Sequence, residues 1–217
     1  MKLYSDIRSG SCRRVLTLVE HLGLDIEIVD VDILAGDSHK AEFLSLNPNG
    51  MLPVLRDGDL ILWEASAIMI HLCEAIGDTA LWPSGPERLE VLRWMFWAAE
   101  HFRQPAPVYF EENVVTKLMG ASPDLARLQE AKKKLDRFTP ILEGHLQNQA
   151  FVCGDAPTLA DIDLAVVTSQ MSRSGVPYQG YPNVQAWLAR LEIAIPAWAR
   201  TGVALNAAMD EALTTAA

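Results

Sequence analysis

Lys2 to Ser5 reads as a short strand, and the spacing then changes. Val15, Leu18, Val19 and Leu22 recur at helical intervals across Arg13 to Leu22. Gly23 stands where such a helix stops, because glycine takes the left-handed turn that closes one. Ile26 to Val31, "IEIVDV", alternates with period two and predicts a second strand. Lys40 to Leu46 predicts a short helix, ended by "NPNG". In "MLPVLRDGDLILWE" two apolar runs flank Asp57-Gly58, the strongest hairpin signal in the chain. A helix beginning at Ser66 and running to Ala75 completes the order β-α-β-α-β-β-α.

The pattern shifts at Gly77 to Glu87, where "GDTALWPSGPE" collects turn residues and prolines. Beyond it the strand-like alternation disappears. Helical patterns run through Leu89 to Gln104, Leu125 to Leu146, Leu159 to Ser172 and Val184 to Leu191, punctuated by "SRSGVPYQGYP". The expectation is an α/β domain over residues 1–77, a linker over 78–86 and an all-α domain over 87–217, with no internal repeat.

At 217 residues the chain is long enough for one large domain or two small ones with real cores. No apolar run approaches the ~18–20 residues that cross a membrane. The start, "MKLYSDIRSG", lacks the apolar core of a signal peptide, so a cytoplasmic protein with no membrane partner is expected. Cys12, Cys73 and Cys153 are scattered and form no C-x-x-C pair, which suits a reducing compartment. The five histidines show no H-x-x-x-H or H-E-x-x-H spacing, so no metal site is expected. A formal net charge of −10 argues against nucleic acid as a partner. Against that acidic background, Arg8, Arg13 and Arg14 gather around one stretch, "RSGSCRRVL", which His39 and Lys40 are candidates to join.

Three stretches carry chemistry. In "MLPVL", Pro53 interrupts an apolar strand from which it removes a donor. Either it is a trans edge proline, or a cis Leu52–Pro53 bond turns the Leu52 N–H and C=O outward to pair with an extended peptide. In "WEASAI", Glu64, Ala65 and Ser66 stand where a strand meets a helix. The free N–H groups there either take a carboxylate or are merely capped by Ser66, and Glu64 is placed to hold an ammonium. In "RSGSCRRVL", Ser9 to Cys12 also precede a helix. A hydroxyl there either caps the helix or donates to the thiolate of a bound thiol and lowers its pKa. Direct attack by serine has no support, since no histidine lies nearby in sequence and no G-x-S-x-G elbow is present.

Taken together, S-x-x-C at the first helix, "NPNGMLPVL", "LWEASAI" and a helical second half closely resemble the soluble glutathione transferase superfamily. "LSLNPNGMLPVLRDGDLILWEASAIMIHL" is the most specific stretch. "PTLADIDL" matches the family's buried helix start, where Thr158 and Asp161 form a capping box that serves folding. The resemblance implies a thioredoxin-like domain that binds glutathione as co-substrate, a helical domain forming most of a pocket for a small hydrophobic electrophile, and a homodimer. By position, Ser9 matches the active-site serine or cysteine, followed by Ser11. Leu52 and Pro53 match the segment that pairs with the cysteinyl backbone, and Glu64 the acid that holds the γ-glutamyl group. His39 and Lys40 lie near the loop that meets the glycyl carboxylate. Ile7, Arg8, His101 and Arg103 are the pocket candidates.

One position departs from the pattern. The family commonly has Glu-Ser where this chain has Glu64-Ala65, so a hydroxyl is missing at the γ-glutamyl carboxylate, with Ser66 the candidate to replace it. A hydrogen bond to a charged group is worth about 1.5–3 kcal/mol. Two other readings therefore stand beside a transferase: a glutathione-dependent disulfide or peroxide reductase, and a non-catalytic transferase-like binding protein.

Overall fold

A computed structural model describes residues 1–216. Its first half holds β1 (Lys2–Ser5), α1 (Gly10–His21), β2 (Glu27–Asp30), α2 (Ala41–Leu44), β3 (Val54–Asp57), β4 (Leu60–Trp63) and α3 (Ala65–Ile76). The sheet order is β2-β1-β3-β4, with β1 and β2 parallel and the other two pairs antiparallel. The period-two alternation separates two faces. Leu3 and Leu55, paired across the sheet, are fully buried in the core that includes Leu18 of α1 and Ile68 and Leu72 of α3. Their neighbours Tyr4 and Val54 pack on the opposite face with Val31 and Phe43, beneath α2. The hairpin register pairs Asp57 with Leu60, and Gly58 turns the chain at φ +59, a conformation glycine adopts freely.

The second half is helical: α4 (Pro86–Trp97), α5 (Pro105–Phe110), α6 (Thr116–Leu118), α7 (Leu125–His145), α8 (Leu159–Ala165), α9 (Met171–Ser174), α10 (Pro182–Ala194) and α11 (Pro196–Ala216). Two expectations change. The helix predicted over Leu89–Gln104 starts earlier, at Pro86, and gives way to a π-turn at Ala98–Phe102, three residues before Pro105. Proline has no N–H to continue the ladder, and a wider turn accommodates the break. A second π-turn, Glu111–Val115, lies on the far side of α5. The helix predicted over Leu159–Ser172 ends at Ala165 and tightens into a 3₁₀ turn at Val166–Thr168. The 21-residue α11 escaped the apolar spacing altogether.

The two halves are packed against each other along α1. Thr17 and Thr201 share a hydroxyl contact of 2.8 Å, and the Arg13 guanidinium lies 3.6 Å above the Trp198 ring. Gly202 makes room for it, since a Cβ there would meet Arg13 Nη2 at 2.5 Å. Between α3 and α4 the chain is no loose tether, because Leu81 and Trp82 are both buried. Among the described residues no helix is long and apolar enough to cross a membrane.

Candidate functional site

The site forms where α1 and α3 point their N-termini into a cleft between the halves. Ser9 is the N-cap of α1, with extended backbone, and its Oγ accepts the Cys12 N–H at 3.4 Å. Gly10 lets the first turn approach the helical half, since a Cβ there would lie 3.1 Å from Val166. Cys12 faces inward, fully buried, with its Sγ accepting the Asp6 N–H at 3.5 Å. Burial pushes its thiol up, away from a reactive thiolate. Ser9 and Ser11 border the cleft, and Cys12 does not.

Arg8 closes one side. Its Nε and Nη2 grip Asp6 at 2.8 and 2.6 Å, and Nη2 also reaches Asp32 at 2.6 Å. Burial alone would raise Asp6, but the Arg8 guanidinium and the N–H groups of Arg8 and Ile33 outweigh it and hold the carboxyl below the usual range. Two carboxylates thus surround one guanidinium.

The Leu52–Pro53 peptide is cis. Glu64, at φ +74, is the single non-glycine residue among those described in the positive-φ region. That conformation costs about 1–3 kcal/mol and is imposed by β4 on one side and α3 on the other. It brings Glu64 to the cleft wall while Ala65 turns inward, 2 % exposed. Helical bonding in α3 begins with Ile68 N–H to Glu64 C=O, so the N–H groups before it have no helical acceptor.

Beneath that helix start lies a buried cluster. Arg14 Nη1 donates to Asp163 Oδ1 and, at 3.3 Å, to Ser66 Oγ, while Nη2 donates to Ser11 Oγ at 3.2 Å. Ser66 Oγ in turn donates to Asp163 Oδ1 at 2.7 Å, so its hydroxyl is committed. Arg103 Nη1 takes the other Asp163 oxygen at 2.7 Å. Burial lowers the pKa of the Arg103 guanidinium, with Asp163 and, more weakly, Glu64 opposing that shift and Arg14 adding to it. Two guanidiniums thus surround one carboxylate, the inverse of the Arg8 arrangement.

The cleft encloses about 520 Å³, with Arg8, Ser9, Ser11, Glu64 and Arg103 on one part of its wall. Ala106, Pro107 and Phe110 of α5 face Val166 and Val167 across the apolar part. Other candidates fall elsewhere. His101 stacks on Phe138, ring centroids 4.7 Å apart, over a separate groove. Lys40 pairs with Asp37 at 2.6 Å beside another groove behind the sheet. His39 bonds Ser38 Oγ at 3.1 Å and lies against Gly50, next to the loop leading to Leu52. Ile7, Leu52, Pro53, Ala65 and Ser66 lie outside the cavity's lining. Sequence reasoning missed the roles of Arg14 and Asp163. The dibasic pair and the second aspartate of "ADIDL" were their only signals.

Two family models match the chain: the glutathione S-transferase N-terminal domain over residues 1–74 and the C-terminal domain over residues 106–193. Glutathione S-transferase F14 of Arabidopsis thaliana is 34% identical over 220 residues, covering 97% of this chain and 85% of its own. The crystal structure of glutathione transferase F7 from Populus trichocarpa superposes with a TM-score of 0.85 at 28% identity, covering 94% of this chain and 98% of the other. Glutathione S-transferase-I bound with lactoylglutathione gives 0.81 at 26%, covering 93% and 98%. With both domains matched and the thioredoxin-like sheet and helical half in place, the chain belongs to the glutathione transferase family and is a glutathione transferase.

Proposed function

We propose that glutathione lies along the sheet side of the cleft with its thiol at Ser9, and that its thiolate attacks a small hydrophobic electrophile held against α5 and Val166–Val167. The observation that carries this reading is Ser9 itself, a hydroxyl at the N-terminus of a 12-residue helix that opens into the cavity. There the hydroxyl and the helix dipole both favour a bound thiolate over a thiol. Residues 1–77 form the glutathione-binding domain and 87–217 the domain that supplies the electrophile wall, with 78–86 between them.

In this placement the cysteinyl backbone pairs with Leu52, whose N–H and C=O find no partner among the described residues, beside the cis Pro53. Glu64 receives the γ-glutamyl ammonium, and the N–H groups of Ala65 and Ser66 face its carboxylate. Ser11 borders the thiol, and His39 is the nearer of the two basic residues to the glycyl end. Lys40 is engaged by Asp37. Arg8 and Ile7 stand at the electrophile's entrance. A homodimer is supported by Leu89 and Phe96, seven residues apart on one face of α4 and each 66% exposed. A cytoplasmic setting suits three unpaired cysteines. A reductase working through Cys12 is disfavoured, because that thiol is buried and its pKa is raised.

Ser9→Ala tests the reading. Conjugation of an activated aryl halide is expected to fall about 10- to 100-fold in kcat/KM at neutral pH. The pKa of bound glutathione, followed by thiolate absorbance, should rise. Unchanged turnover and pKa would leave Ser9 a helix cap, and wild-type protein that showed no calorimetric glutathione binding would remove the catalytic reading.

A further inference from the structure

The Arg14–Asp163–Arg103 cluster has more positive than negative charge, and its two guanidiniums are not equivalent. Arg14 is 6% exposed, and its contacts to Asp163, Ser66 and Ser11 tie the first turns of α1 and α3 to α8. Arg103 uses Nη1 on Asp163, while its Nε and Nη2 have no partner among the described residues. Its side chain is 20% exposed and lines the cleft. Ser66 Oγ and Arg103 Nη1 hold the two oxygens of one carboxylate, each at 2.7 Å. The open side of Arg103 therefore stands beside the first turn of α3, where the backbone donors are free and Glu64 borders the same opening.

A γ-glutamyl group carries an ammonium and a carboxylate on one carbon, so its site needs opposite charges close together. Glu64 supplies the negative one. We propose that Arg103 binds the α-carboxylate of the γ-glutamyl group of glutathione, supplying a side-chain donor in place of the hydroxyl that Ala65 lacks, with Arg14 and Asp163 as positioning residues. The assignment rests on glutathione being the co-substrate. Glu64 is near enough to act on Arg103, and once the ligand's ammonium takes Glu64 a ligand carboxylate gives Arg103 its own counter-charge, for which its planar fork suits bidentate contact. That contact also places Arg103 on the glutathione side of the cleft rather than the electrophile side.

Calorimetry with two peptides reads this directly: glutathione, and γ-aminobutyryl-cysteinyl-glycine, which lacks only the α-carboxylate. Wild-type protein is expected to lose about 10- to 100-fold in affinity when the carboxylate is removed. Arg103→Met should bind glutathione more weakly and keep only the residual discrimination that the Ala65 and Ser66 N–H groups supply, and Arg103→Lys should show an intermediate ratio. Arg14→Lys keeps the charge but not the fork, and should lower the ratio part-way without abolishing binding. The ratio cancels any general loss of folded protein. Undiminished discrimination in Arg103→Met overturns the assignment alone, and an unchanged ratio in Arg14→Lys removes Arg14 from it. If wild-type protein binds neither peptide, the glutathione reading fails and this one with it. Equal binding of both peptides by wild-type protein overturns the carboxylate contact and leaves glutathione in place.

Discussion

Asp161 and Asp163 stand two residues apart at the start of α8, and neither side chain exposes any surface. Their surroundings are opposite in kind. Asp161 accepts from Val152 N–H, Thr158 N–H, Thr158 Oγ1 and Trp187 Nε1, all neutral donors, at 2.8 to 3.1 Å. Asp163 accepts from two guanidiniums and a hydroxyl, and one of those guanidiniums keeps unused donors at the cleft. The first carboxylate closes a local circuit within the helical half. The second joins elements from both halves and leaves positive charge facing the cleft. Burial alone does not mark a functional acid, and the character of its partners does.

The largest expected effect tests the first half of that contrast. Asp161→Ala leaves the Val152, Thr158 and Trp187 donors buried without an acceptor, so a loss of about 3–5 kcal/mol in stability is expected. At about 2–4 °C per kcal/mol for a chain of this size, thermal denaturation should show a midpoint lowered by about 10 °C. Glutathione affinity of the folded fraction should be unchanged. A fall in affinity at intact stability would make Asp161 part of the site and dissolve the distinction.

Asp163→Ala probes the other half, with an expected loss of about 3 kcal/mol, the low end for a broken buried ion pair because Arg103 can turn toward water although Arg14 stays buried. Here the signature is a response to anions. With its carboxylate gone, the two guanidiniums keep only Glu64 nearby as a counter-charge, so sulfate should raise the melting midpoint of Asp163→Ala more than that of Asp161→Ala or wild type. An equal sulfate response in all three proteins would mean that the cluster carries no accessible positive charge.

The same contrast explains what could be read from the sequence. Asp161 and Thr158 form a box three residues long, so their spacing announces it. The α1 cap, the Asp57-Gly58 hairpin with its flanking apolar runs and the short strand at Lys2 to Ser5 are likewise local, and each appeared as a pattern. Arg14 and Asp163 are 149 positions apart, and Ser66 and Asp163 are 97. No periodicity connects them, so only the fold brings them together. α5 was hidden for another reason: the predicted helix ends at Gln104, directly before Pro105, but a proline-initiated turn resumes between two π-turns and supplies the apolar wall. His101 shared a helical pattern with Arg103, but residues two apart point to opposite sides of a helix, so one ring stacks on Phe138 and the other side chain enters the cleft.

The smallest expected effect uses the cleft's other ion cluster, where the stoichiometry is reversed and Asp6 and Asp32 share Arg8. Asp6→Asn should cost about 1–2 kcal/mol at neutral pH, since an amide still accepts from Ile33 and Arg8 but brings no charge. The pH dependence distinguishes charge from shape. Although burial opposes it, the bonds from Arg8 and Ile33 hold Asp6 below its unfolded value of 3.8. Its stabilising contribution is therefore full above that value and disappears as pH falls through the lower folded one. Urea titrations should show wild type and Asp6→Asn separated at neutral pH and converging as pH drops well below 3.8. The wild type loses its advantage by protonation, while the variant has no carboxyl at position 6 to protonate. A gap that stayed constant with pH would assign the Asp6 effect to packing. The two clusters would then differ in more than the sign of their excess charge, because only the Asp163 cluster would be electrostatic.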